Sequence, residues 1–85
     1  MQFLEPIEFT LKLHIKMEFR IYEARQDNII FRIEEDYPEV GAYLYIIENG
    51  KCIKDFLQNS IESCQSIAFE EYNIPKTRWK LIHEK

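Results

Sequence analysis

Residues 7–22 read IEFTLKLHIKMEFRIY: Ile7, Phe9, Leu11, Leu13, Ile15, Met17, Phe19 and Ile21 hold every odd position, and Glu8, Thr10, Lys12, His14, Lys16, Glu18, Arg20 and Tyr22 lie between them. A period of two fits an extended chain with one buried and one wet face, whereas a helical stripe needs spacings of three and four. The run therefore predicts a long N-terminal β-strand whose odd side chains face the core. At ~3.3 Å per residue such a strand is on the order of 50 Å long, more than a domain of this size spans, so it should twist, bulge or overhang its own sheet. An overhanging half is a template for pairing with a second copy, which makes a homodimer through this strand one expectation.

The chain of 85 residues is one domain's worth, 46% hydrophobic and 31% charged, a composition that fits a globular core and excludes a disordered chain. No 18-residue apolar run is present, and Met1 to Pro6 lacks the basic start and apolar stretch of a secretory leader, so neither a membrane span nor a leader is expected. Cys52 and Cys64 stand outside any CxxC or Cys/His ligand spacing and read as free, buried thiols of a reducing cytoplasm. The net charge of −4 is uneven: residues 34–73 hold nine acids and two bases, and residues 74–85 hold one acid and four bases. An acidic middle repels phosphate backbones, so no nucleic-acid partner is expected, and it suits docking on a basic protein.

Downstream, the polar stretch Glu23 to Asn28 predicts a reversal, followed by a second strand over Ile29–Glu34. Glu34-Glu35-Asp36-Tyr37-Pro38-Glu39 is expected to be an exposed loop, and Ala42–Glu48, apolar or aromatic on both faces, a central third strand. Asn49-Gly50 predicts a type I′ hairpin in which Glu48 faces Lys51, Ile47 faces Cys52, Ile46 faces Ile53 and Tyr45 faces Lys54, with a short fourth strand ending near Asp55 to Leu57. Asn59 followed three residues later by Glu62 places a helix start at Ser60. The helix runs to Tyr72 with Ile61, Cys64, Ile67, Ala68 and Tyr72 inward, Phe69 at the stripe's edge, Asn73 after its end and Pro75 stopping it. Thr77–Ile82 reads as a closing strand or an irregular tail plugged by Trp79.

Few residues offer chemistry. His14 and His83 stand alone, the acids Glu34, Glu35, Asp36 and Glu39 lack calcium-loop spacing, and a chain with two glycines has no phosphate loop. The expectation is no catalytic residue, no metal and no cofactor. The aromatics Tyr37, Tyr43, Tyr45 and Trp79 suit either a protein-binding patch or packing, and most are expected under the helix.

The succession Tyr45-Ile46-Ile47-Glu48-Asn49-Gly50-Lys51-Cys52-Ile53 with Asp55, then Leu57 to Glu62, then Ala68 to Pro75 and Trp79, is similar to a group of small, mostly uncharacterised bacterial α+β proteins that look like single-domain immunity proteins of toxin systems. A looser likeness joins the hairpin and helix to the partial ribonuclease-H-like domain of HicB-type antitoxins. The resemblance implies a non-enzymatic cytoplasmic protein that neutralises a toxin by occlusion. Together these readings predict an α+β domain over residues 1–85, an antiparallel sheet of four or five strands on one C-terminal helix at about 60–72. Glu34, Glu35, Asp36, Tyr37, Glu39, Tyr43 and Tyr45 are its candidate partner-binding residues. The alternative is a self-associating scaffold protein.

Overall fold

A computed structural model describes residues 19–84 of the chain. They form an α+β domain: β1 (Arg20–Gln26), β2 (Ile29–Glu35), β3 (Ala42–Glu48), β4 (Lys51–Gln58), α1 (Ile61–Tyr72), a 3₁₀ turn (Lys76–Arg78) and β5 (Lys80–Glu84). The five strands make one antiparallel sheet in the order β4-β3-β2-β1-β5, so the first four form a meander and the chain crosses through α1 to add β5 beside β1. Residues 7–18 of the expected long strand lie outside the described residues. Its described end differs from expectation in two ways. The strand continues through Glu23, Ala24, Arg25 and Gln26, leaving only Asp27-Asn28 as the turn, with Asp27 at φ 59°. The inward phase is also the even one: Tyr22 and Ala24 join the core, because Tyr22 pairs with Ile33 and Ala24 with Phe31, both buried. Paired residues share a face, so Ile21, opposite Glu34, goes to the other side.

The core lies between the sheet and α1. Ala24, Phe31, Ile33, Ala42, Leu44 and Ile46 from the strands meet Ile61, Cys64 and Ala68 from the helix, and Ile74 closes them off. Ile74, which no periodicity marks, is carried inward by the helix end: Asn73 turns left-handed at φ 60° and donates its N–H to Phe69 O, and Ile74 donates to Ala68 O. The helix cap is Ser60 rather than Asn59; its hydroxyl accepts from the Ser63 N–H at 3.1 Å. Phe69 lies off the stripe and is 55% exposed. The expected closing segment Thr77–Ile82 divides: Thr77 and Arg78 lie in the 3₁₀ turn, Trp79 packs against the core, and the strand β5 begins at Lys80.

The Asn49-Gly50 turn has positive φ at both residues, and Glu48 faces Lys51 and Ile47 faces Cys52 as expected. Beyond them the register slips by one, because Ile53 forms a bulge, so Ile46 faces Lys54 and Tyr45 faces Asp55. The reason is burial. An unbroken ladder would set Asp55 opposite buried Leu44 beneath the helix; the bulge sets Phe56 there and turns Asp55 outward. β4 consequently reaches Gln58, and Ile53 is left exposed. At the other end Gly41 adopts φ 111°, where an added Cβ would sit 1.9 Å from the Gln58 carbonyl oxygen.

Candidate protein-binding face

Alternation sends half of every strand away from α1, onto a face that no other described element covers. Strand pairing sets these side chains in rows. One row runs Lys80, Glu23, Arg32, Tyr45, Asp55; another runs Ile21, Glu34, Tyr43, Leu57; a third runs Arg25, Ile30, Ile47, Cys52. Tyr43 and Tyr45, two apart on β3, stack with ring centroids 5.9 Å apart and planes inclined by 13°. Their place corrects the expectation that most of the candidate aromatics pack under the helix. Buried Ala42, Leu44 and Ile46 occupy the inward positions of β3, and of the four candidates only Trp79 packs against the core.

Arg32 occupies the centre of this face. Its Nε, shielded from water, lies 3.4 Å from Glu34 Oε2 and 3.7 Å from Glu23 Oε2, and Glu23 Oε1 lies 4.0 Å from Arg25 Nη2. Tyr45 pairs with Arg32 across the strands. Partial burial raises the Tyr45 hydroxyl pKa above its ordinary value, and the neighbouring Glu34 carboxylate adds to the rise. The hydroxyl therefore stays protonated and able to donate at neutral pH.

The seven candidate residues do not form one cluster. Glu34 and Glu35 are consecutive in a strand and so point to opposite faces. Glu34 joins Arg32 beside Tyr43, its cross-strand partner, whereas Glu35 turns to the helix side and accepts from Arg20 Nε at 3.1 Å and Nη2 at 2.9 Å. Those hydrogen bonds hold the Glu35 carboxyl below the usual carboxylate range. Asp36 Oδ1 accepts from the Tyr37 N–H at 2.7 Å, and Val40 and Gly41 both donate to Tyr37 O, which closes the loop into a tight turn with Glu39 at its exposed tip. Tyr37 itself is 44% exposed, and its ring meets Phe19 edge-on at 5.0 Å. Glu35 and Asp36 also line a cleft of about 200 Å³ with Phe19, Arg20, Asn59 and Ser60 at the start of α1.

Sequence reasoning missed Glu23, Arg32 and Asp55. Only the pairing register brings Glu23, Tyr45 and Asp55 into the row of Arg32. Cys52 also departs from expectation: it is exposed at the turn end of β4, while Cys64 is buried, 3.6 Å from the Ala42 carbonyl oxygen. Among the described residues no three His, Cys, Asp or Glu side chains converge in a way that would hold a metal ion, and no helix is long and apolar enough to cross a membrane. Comparison with protein-family models, with curated proteins and with solved structures finds no match to this chain.

Proposed function

We propose that this is a non-enzymatic protein-binding domain of the immunity or antitoxin type, acting in the cytoplasm by occluding a basic site on a toxin. The observation that carries the reading is the stacked Tyr43–Tyr45 pair on a sheet face that no described element covers. Tyrosines give large contact area for little lost conformational entropy and offer a hydroxyl for directed hydrogen bonds, so they anchor protein interfaces. Glu34 and Asp55 flank the pair, and the Asp36–Glu39 turn continues from the same end of the sheet. Lysines and arginines of a nuclease-like toxin complement this rim and are steered to it. The acidic contribution rests on Asp36, Glu39, Asp55 and Glu34; Glu35, paired with Arg20, is a fold residue rather than a docking residue.

The test pairs the protein with the product of its neighbouring reading frame, by co-purification and by inhibition of that product's toxicity. Tyr43→Ala with Tyr45→Ala is expected to weaken binding at least ~30-fold, because two interface anchors are each worth about 1–2 kcal/mol. Reversing Glu34, Asp36 and Glu39 to Lys should mainly slow association and remove its salt dependence. Full inhibition by both variants, folded and at the same concentration, would overturn the reading.

A further inference from the structure

β5 pairs with β1 only along Arg20–Glu23, so the outer edge of Ala24–Gln26 has no strand beside it. The 3₁₀ turn passes this gap, and Arg78 Nη1 reaches into it to donate to the Arg25 carbonyl at 3.2 Å and to Gln26 Oε1 at 3.2 Å. Gln26 is itself anchored, its Nε2 donating to Tyr72 O at 3.2 Å. A strand residue sends its N–H and C=O to the same side, so the Arg25 N–H faces the gap with the carbonyl that Arg78 holds. The result is a notch of about 290 Å³ lined by Glu23, Ala24, Arg25, Arg78, Lys80 and Ile82.

The chemistry of the notch is one-sided. Three cations border it and one carboxylate, Glu23, which is already shared between Arg32 and Arg25. Lys80 has no ion-pair partner within 4.0 Å among the described residues, although the chain as a whole is acidic. Arg78, tethered through Nη1, keeps Nε and Nη2 as donors, and the half-exposed Ile82 supplies apolar wall. Subtracting the Glu23 carboxylate from three cations leaves two positive charges, the complement of a dianion.

We propose that this notch is a binding site for a small phosphate monoester. The phosphate sits among Arg25, Arg78 and Lys80 with the Arg25 N–H as a directed donor, and the organic part lies against Ile82. This site lies at the β1–β5 end of the same sheet face, across Arg32 from the tyrosine pair. The test titrates the full chain with inorganic phosphate and with phenyl phosphate at constant ionic strength. The readouts are the Arg25 backbone amide by NMR and the fluorescence of Trp79, which lies between Arg78 and Lys80 in sequence. Both probes should report saturable binding, with phenyl phosphate at least about threefold tighter than phosphate because of the apolar wall. Arg25→Gln and Lys80→Gln should each weaken it about threefold, and Lys51→Gln at the far edge should leave it unchanged. Equal amide shifts at Lys51, Lys54 and Arg25, or variants that bind like the parent chain, would overturn the proposal.

Discussion

Arg20 grips Glu35 with two parallel side-chain hydrogen bonds of 3.1 and 2.9 Å, and the Arg20 backbone N–H adds a third, to Oε1, at 3.0 Å. The start of β1 is thereby clamped to the end of β2. The pairing lowers the Glu35 pKa and raises that of Arg20, each chiefly through the side-chain hydrogen bonds between them. A carboxylate whose folded pKa is depressed adds stability above its unfolded pKa, and that stability is lost as pH falls through the folded value. Glu35→Gln should therefore destabilise the protein at pH 7 and make little difference once the pH lies below the folded pKa. Because the side chains are 42% and 24% exposed, solvent screening limits the effect to about 0.5–1 kcal/mol. Urea unfolding of both proteins over a series of pH values from 7 downward measures it; a gap that does not shrink as the pH falls would contradict the assignment.

The two glycines should respond very differently to alanine. At Gly41 the new methyl collides with the Gln58 carbonyl and the backbone is left-handed, so Gly41→Ala should cost about 3 kcal/mol or more. At Gly50 nothing lies within 4 Å, and only the strain of φ 78° remains, about 1 kcal/mol. Thermal melts of the two variants give the comparison, and equal losses would show that the Gly41 contact relaxes freely.

Capping distinguishes two adjacent residues. Ser60→Ala removes the acceptor for the Ser63 N–H and should cost about 1 kcal/mol, whereas Asn59→Ala should fall within about 0.5 kcal/mol of the parent. Denaturant midpoints with an unchanged slope decide it.

The cysteines should titrate as two classes. Exposed Cys52 should react with a thiol reagent in the folded protein, giving one equivalent at pH 8. Cys64, buried and with burial pushing its thiol up to about 11, should react only on unfolding. Two fast equivalents in native buffer would place Cys64 at an accessible surface.

The elements that could be read from the sequence are those whose signal is local. Asn49-Gly50 favours positive φ through its own covalent structure, the three-and-four spacing of Ile61, Cys64 and Ala68 is a property of the helix itself, and Asn73 and Pro75 end that helix by their own backbone preferences. Alternation likewise announced β2 and β3, and with them the α+β class. Which side of β1 is inward was decided instead by partners: Phe31 and Ile33 draw Ala24 and Tyr22 under the helix, against the odd-numbered phase of the residues before them.

The candidate surface depended still more on tertiary structure. Its seven candidate residues were chosen because acids or aromatics crowd one part of the sequence, yet adjacent Glu34 and Glu35 part to opposite faces, since consecutive side chains of a strand must. The row from Lys80 through Glu23, Arg32 and Tyr45 to Asp55 joins five strands and exists only because a bulge at Ile53 hides Phe56 in place of Asp55. The sequence by itself determined β2, β3, the Asn49-Gly50 hairpin and α1, because those preferences are carried within a few residues. Register, facing and the identity of each charge's neighbour were decided by the fold, because they follow from burying one shared core across residues distant in the chain.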